Sequence, residues 1–419
     1  MRRFIEDTIA AGALLLCAAG LAAQLPAAEK SETAPPRATP PSIPALPPGV
    51  DETSPLAGEL LEKHLEEWPD HPEWLAMYAD ILQGSRLGPG EGWFKKAVSQ
   101  TRFSYEATCQ AYDRDGDKQI ARAEFPGSDQ AFARLDRNRN QTLDQADWDW
   151  SQHALAPTPG MILFRMGDGD GNGQLNRREW EGLFDRLAGK GTEFLSIQDL
   201  QEALSPTGMP PRDPAPTKAT LLKGLFQQEI GSLKPGPALN ESVPKFVLKT
   251  HTGDQEYSLE DHLGKKPLIL IFGNFTCGPF RMASGDVEKL YERYQDQAEF
   301  AMVYVREAHP TDGWHMPSND RHEVKLPQPQ TLEQRASVAS ACQAKLGLQM
   351  PMLVDTIDDY VGANYSGMPS RLYLIDRDGR VAFKSGRGPF GFKPAELEQA
   401  LLLMLAQPDS AASKPKGST

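Results

Sequence analysis

The sequence predicts a multidomain chain in which an all-α module over residues 56–204 is followed by an α/β domain over 240–407. Three observations carry that division. Acidic loops of one common spacing recur between helix-patterned segments in the first region, and short strand-like runs alternate with helix-like ones in the second. Between them, Pro206, Pro210, Pro211, Pro214 and Pro216 interrupt regular structure, so 205–239 reads as a linker, with one short amphipathic docking helix at Leu221 to Leu233. A chain of 419 residues is long enough for two or three separate cores.

The ends of the chain read differently from its middle. Arg2 and Arg3 precede an apolar stretch from Ile9 to Ala23, and small residues at Ala22, Ala23, Ala27 and Ala28 offer cleavage sites. Residues 1–28 therefore read as a signal peptide, with an uncleaved membrane anchor as the alternative. The mature chain is expected outside the cytoplasm, periplasmic or extracellular, and at a membrane only if that segment is retained. Residues 29–55, dense in Pro, Ala, Thr and Ser, form a linker that cannot build a core, and 408–419 form a disordered tail. The net charge of −13 argues against nucleic acid as a partner, because phosphate binding needs clustered Lys and Arg. Once the signal is gone, Cys109, Cys277 and Cys342 remain. Three thiols cannot all pair within one chain, so this is no disulfide scaffold.

Helical spacing of apolar residues in Leu56 to Leu65, in Trp74 to Leu82 and again from about Trp93 predicts helices leading into the acidic loops. The first loop sets Asp113, Asp115, Asp117, Gln119 and Glu124 at positions one, three, five, seven and twelve, with Ile120 at eight. The third, the best copy, sets Asp168, Asp170, Asn172, Gln174 and Glu179 at the same positions, with Gly173 at the sharp turn. The second has Asp136, Asn138, Asn140, Thr142 and, in place of a longer Glu, Asp147, so it carries less charge. Alternate carboxylates, a backbone carbonyl at position seven and a bidentate acid at twelve supply the six to eight hard oxygens that Ca²⁺ takes. This is the EF-hand pattern, and Ca²⁺ is the expected cofactor. A fourth stretch, Ala188 to Asp199, lacks ligands and is expected to be a metal-free partner for the third loop.

In the second region, Lys245 to Leu248 and Glu256 to Leu259 read as a hairpin, Leu268 to Phe272 as a buried strand, Pro279 to Gln297 as a helix and Phe300 to Val305 as the next strand. A helix at Thr331 to Leu346, strands at Met352 to Val354, Arg371 to Ile375 and Val381 to Lys384, and a final helix at Pro394 to Leu405 complete a thioredoxin-like sheet. The apolar run Leu268 to Phe272 delivers Cys277 into a Gly-Pro turn, with Met368-Pro369 placed where such folds carry a cis-proline. A sulfur at a helix start meets amides whose partial positive charge favours thiolate. The alternative is a small apolar residue filling a core.

The blocks Thr276-Cys277-Gly278-Pro279-Phe280, Val303 to Trp314 with its Glu-Ala-His-Pro-x-Asp-Gly-Trp core, Val354-Asp355-Thr356, Arg371-Leu372-Tyr373 and Gly388-Pro389-Phe390 resemble, in that order, the iodothyronine deiodinases. Those enzymes have a thioredoxin-like fold and reductively remove iodine from aromatic rings. The resemblance implies that Cys277 is the nucleophile, standing where the family has selenocysteine, with Thr276 beside it, Glu307 and His309 handling protons, and Arg371 near the site. The second family histidine has no counterpart: Leu326-Pro327-Gln328-Pro329 stands there, and His322 lies several residues early. Read without the family, a thiolate at a helix start with a glutamate and a histidine attacks an electrophilic S, O or I atom, with an ion pair of Glu307 and Arg371 at strand ends as the alternative. Phe280 stands where a thioredoxin-type turn has its second cysteine, so oxidised Cys277 is resolved either by Cys342 or by an external thiol.

Two functions follow from these patterns. One is an exported calcium-binding thiol oxidoreductase acting on a small-molecule or thiol substrate with an external thiol reductant. The other is a calcium-dependent binding or scaffold protein whose redox domain is vestigial.

Overall fold

A central sheet of eight strands organises the molecule, in the order β1-β10-β9-β6-β7-β8-β4-β5. The strands are β1 Gln100–Thr101, β4 Val247–Thr250, β5 Glu256–Ser258, β6 Leu268–Gly273, β7 Glu299–Tyr304, β8 Met352–Val354, β9 Arg371–Ile375 and β10 Val381–Lys384, while β2 Ile120–Ala121 and β3 Thr142–Leu143 form a separate ribbon. The computed structural model describes residues 51–407 apart from 52, 69–70, 89, 152–157, 190 and 206–212. The segment expected to be a signal peptide, nearly all of the expected 29–55 linker, much of the proline-rich part of the second linker and the expected 408–419 tail lie outside the described residues. Among the described residues no helix is long and apolar enough to cross a membrane.

β6 sits at the centre because all six of its residues are buried. It runs parallel to β7, pairing Leu268 with Glu299 through Gly273 with Tyr304, and antiparallel to β9 on its other side. A strand buried on both faces needs a continuous apolar run, which Leu268 to Phe272 supplies. β6, the Gly278–Tyr294 helix and β7 make the βαβ half of a thioredoxin-like fold, and β9, β10 and the Pro394–Ala406 helix make the closing half. β8 and the β4–β5 hairpin extend the sheet beyond β7. The Met368-Pro369 bond before β9 is cis, as is Gly388-Pro389.

The first 100 described residues depart from the expected organisation. The Pro55–Glu66 and Glu73–Leu82 helices pack together, and the second of them meets the Lys218–Phe226 helix rather than leading into the acidic loops. That third helix ends before the expected Leu233 because Gln228 and Gly231 adopt positive φ values of 58° and 149°. The helix near Trp93 lasts five residues, and Gln100–Thr101 then adds an edge strand to β10. Phe103, Ile120, Phe125, Phe132, Leu135 and Leu143 belong to the same continuous core as the central sheet. Arg134 and Arg293 both meet Glu398 of the last helix, fastening the acidic-loop region to the α/β region.

Candidate active site and acidic loops

Cys277 is the N-cap of the Gly278–Tyr294 helix and is 1% exposed. Its position is fixed by Asn274, whose Oδ1 accepts from the Cys277 amide at 3.0 Å and from the Ala308 amide at 3.1 Å, while its Nδ2 donates to the Pro369 carbonyl at 2.9 Å. One side chain thus ties the ends of β6 and β7 to the segment before β9. Burial pushes the Cys277 thiol up to about 11, against the opposing pull of the Phe280 amide, Arg281 and the Ser370 hydroxyl, and Glu307 adds to the rise. The helix start acts in the expected direction, but desolvation outweighs it, so the resting sulfur is a thiol and not the expected thiolate.

Glu307 is fully buried, and its Oε2 accepts from the Thr276 amide at 2.9 Å and the Thr276 hydroxyl at 2.7 Å. Tyr304 donates its hydroxyl to the other carboxylate oxygen and accepts from the Phe275 amide at 3.0 Å. Burial raises the Glu307 pKa, favouring the proton-carrying form. His309 is held by its own amide, which donates to Thr276 Oγ1 at 3.0 Å, and by Nδ1, 3.0 Å from the Trp314 carbonyl. A carbonyl accepts only, so Nδ1 carries the proton and Nε2 is the ring's acceptor. Burial lowers the His309 pKa to about 4, and the ring meets Trp314 edge-on at 4.8 Å. Thr276 therefore joins Glu307 to the His309 backbone in one hydrogen-bonded group, and Asn274 Oδ1, which accepts from both the Thr276 hydroxyl and the Cys277 amide, sets the nucleophile beside this buried proton donor and the neutral imidazole.

Arg371 does not join it. Its guanidinium is held by Glu73, with Nη2 3.0 Å from Oε2, and Arg387 Nε reaches the same oxygen at 3.0 Å. Burial would raise Glu73, but Arg371 and Arg387 hold its carboxyl down at about 2. Among the described residues Glu307 does not make the alternative ion pair with Arg371; the acid that meets Arg371 comes from a helix almost 300 residues away in sequence. Cys342 is wholly buried and feels the charges of Glu307 and Arg281; Cys109, Cys277 and Cys342 are all free thiols. Gln328, at the place of the missing histidine, accepts from the Glu307 amide at 2.9 Å and donates to the Glu307 carbonyl at 3.1 Å. It fixes the Glu307 backbone but cannot exchange protons near neutral pH.

Asn274, Tyr304, Arg281 and Asn319 escaped the sequence reading. The one signal available was polarity out of place, as with Asn274 and Arg281 flanking an otherwise apolar cysteine turn. A cavity of about 1020 Å³ runs along the same helix, lined by Phe164, Leu175, Pro279, Met282, Phe390 and Phe392 among others.

In the first and third acidic loops, carboxylates converge: oxygens of Asp113, Asp115 and Asp117, and likewise of Asp168, Asp170 and Glu179, lie within 4.8 Å of one another. Asp113 accepts from the Gly116 and Lys118 amides at 2.7 and 3.0 Å, and Glu124 reaches back to the Arg114 amide at 2.9 Å. Asp168 accepts from the Asn172 and Gly173 amides at 3.0 and 3.1 Å, and Glu179 from Gly169 at 3.1 Å. In the second loop Asp136 accepts from the Asn140 amide at 3.0 Å and Asp147 from Arg137 at 2.7 Å, but Asp144 draws the Asn140 side-chain amide to 2.6 Å. Asn138 and Asn140 spend their carbonyl oxygens on the amides two residues on, at Asn140 and Thr142. Ile120 and Leu143, both at position eight, pair across β2 and β3 and join the first two loops.

The third loop meets the fourth stretch through helices, Arg177–Ala188 being in contact with Ile197–Ala203. Among the described residues no strand joins Leu175 to Leu195. The loop docks instead on the α/β region, where Ser284 Oγ lies 3.0 Å from the Asn172 carbonyl and Gln174 Nε2 donates to the Leu346 carbonyl at 2.8 Å. His322 sits over Gly171, where a Cβ would come within 2.4 Å of its ring.

Residues 220–403 match the family model for iodothyronine deiodinase. Over this segment the chain is deiodinase-like. It is 37% identical over 138 residues to a thyroxine 5-deiodinase of Sparus aurata, a match covering 33% of this chain and 50% of that one. It is 38% identical over 134 residues to the thyroxine 5-deiodinase of Gallus gallus, covering 32% and 50%. A type I iodothyronine deiodinase of Xenopus laevis is 28% identical over 159 residues, covering 38% and 61%. The chain thus spans about half the length of the deiodinases it matches, and residues 220–403 contain Cys277, Glu307, His309 and Arg371. A solved thioredoxin domain of a thiol-disulfide oxidoreductase from Bacteroides vulgatus matches 38% of this chain and 96% of its own, at 18% identity and a TM-score of 0.28.

Proposed function

We propose that the protein is an exported, calcium-binding thiol oxidoreductase in which Cys277 is the nucleophile of a reductive dehalogenation or of a peroxide or disulfide reduction. The observation that carries this reading is the buried constellation of Cys277, Thr276, Glu307 and His309 inside the deiodinase-like segment. His309 Nε2, the ring's acceptor, takes the Cys277 proton only as bound substrate draws charge from the sulfur, because the resting thiol near 11 and the imidazole near 4 oppose the transfer, and the sulfur attacks iodine, oxygen or sulfur. With an aryl iodide, the S–I bond forms as the C–I bond breaks; the ring carbon keeps the electron pair and takes a proton from the Glu307–Thr276 pair. Two equivalents of an external thiol then return Cys277, releasing iodide and a disulfide. With a peroxide, the same proton goes to the leaving alcohol and a sulfenic acid remains.

Calcium belongs in this reading through the first and third loops, whose converging carboxylates are hard donors of the kind Ca²⁺ selects. The helix–loop–helix setting and the Ile120–Leu143 pairing support an EF-hand assignment. At sites of this kind Asp113, Asp115, Asp117 and Glu124, and Asp168, Asp170, Asn172 and Glu179, would hold the ion. The second loop is the weakest because it has Asn at positions three and five and the shorter Asp147 at twelve, so it carries less charge.

The test is a panel of iodinated phenols, peroxides and disulfides with an added dithiol, run on wild type and Cys277→Ser. Turnover of one class that disappears in the variant is expected; turnover that survives in Cys277→Ser rules out the nucleophile, and none with any class favours the scaffold reading.

A further inference from the structure

Arg281 is 3% exposed and stands one helical turn after Cys277. A guanidinium keeps its charge at any ordinary pH, so burying one without a carboxylate in contact is costly and calls for a reason. Its Nη1 donates to the Phe275 carbonyl at 2.5 Å and its Nη2 to Asn319 Oδ1 at 2.8 Å. Asn319, itself buried, passes that connection on by donating to the Thr276 carbonyl at 2.9 Å. Both residues before Cys277 are thus held by one cation, and on the other side of the sulfur a Cβ on Gly278 would lie 4.0 Å from Nη2. Among the described residues the Nε–H has no partner.

The backbone of Arg281 is clamped from the acidic-loop side. A Cβ at Gly173 would fall 1.8 Å from the Arg281 carbonyl, so only glycine lets the third loop close over it. Ser284 Oγ lies 2.7 Å from that carbonyl and 3.0 Å from the Asn172 carbonyl, bridging helix and loop. The charges around the guanidinium come from every element packed on it: Cys277 on its own turn, Glu307 after β7, Cys342 on the Leu332–Leu346 helix and Asp168 on the third loop, with His309 and His322 also within its field.

We propose that Arg281 is the positioning residue and counter-charge of Cys277, holding the cysteine turn through Phe275 and Asn319 and neutralising the sulfur when it ionises. This deepens the reading of Cys277 as nucleophile and rests on it. A sulfur in a dry site loses the solvation that stabilises a thiolate, and a fixed cation with an unspent donor replaces it without reorganising. The charge is tied to the calcium-type loop by its own backbone, so the loop sets where the charge stands.

The experiment is the pH profile of Cys277 alkylation by iodoacetamide in the full chain, site-assigned by mass spectrometry, for wild type, Arg281→Met, Arg281→Lys and Asn319→Asp. Arg281→Met is expected to slow alkylation at pH 8 by about tenfold and to move the apparent pKa up by about one unit, with Arg281→Lys restoring most of the rate. Asn319→Asp keeps the contact to Arg281 but sets a carboxylate against the guanidinium and gives up the donation to the Thr276 carbonyl, so it should also slow alkylation. It serves if Arg281→Met does not fold. A folded Arg281→Met or Asn319→Asp with a wild-type profile overturns the counter-charge, while Cys277 inert in wild type at every pH overturns the nucleophile reading beneath it.

Discussion

Glu307 shows how burial and chemistry are linked at a single residue. Its folded pKa is raised by burial, so the native state binds its proton above the pH at which the unfolded chain has released it. Stability from this group is therefore full below the unfolded value near 4.5 and is lost as pH rises toward the folded one. Glu307→Gln, neutral at every pH, is expected to flatten the decline of the melting temperature with rising pH in scanning calorimetry, while its NH₂ costs one of the contacts that the two carboxyl oxygens accept. The same variant should cut turnover by tenfold to a hundredfold, since an amide cannot deliver a proton. Unchanged turnover would remove Glu307 from the chemistry. Cys277, Thr276, Glu307 and His309 were legible because motif residues announce themselves in sequence. Asn274 and Arg281 were not, because their importance lies in carbonyls and amides that only the fold brings to them.

At the scale of elements, local pattern located most of the sheet and missed what long range decides. Met352–Val354, Arg371–Ile375 and Val381–Lys384 stand where alternation and turn residues place them, since each is a short apolar run bounded by polar turns. Gln100–Thr101 carries no strand pattern and becomes β1 only because β10 offers an edge. The Glu73–Leu82 helix reads as an amphipathic helix, but nothing local says that Glu73 will meet Arg371 and Arg387, which are fully buried. Removing that carboxylate leaves two buried cations unpaired, so Glu73→Ala is expected to cost about 3–5 kcal/mol in urea unfolding. With a folded pKa of about 2, the contribution of Glu73 is present above pH 4.5 and is lost as pH falls toward 2. The acid limb of the stability curve should therefore shrink in the variant; a loss below about 1 kcal/mol would make the helix a loose appendage.

For the whole molecule, the decisive feature is that the acidic loops do not form a body of their own. Phe103, Ile120, Phe125, Phe132, Leu135 and Leu143 share one apolar core with the central sheet, and the third loop rests on the helix that begins at Cys277. Ion binding to the folded loops must then stabilise the entire unit by mass action, by about 2.7 kcal/mol per site at a hundredfold excess over the dissociation constant. Withdrawing Ca²⁺ with a chelator should lower one common calorimetric transition by several degrees, not split off a separate early one. Asp168→Ala should also slow Cys277 alkylation, because the third loop covers the Arg281 carbonyl. Asp113→Ala, on a loop that pairs with the second loop instead, should lower the melting temperature but leave alkylation near the wild-type rate. Two resolved transitions would show that the shared core does not couple the regions. A single transition indifferent to Ca²⁺, with no Ca²⁺ uptake by titration calorimetry, would remove the metal from the protein.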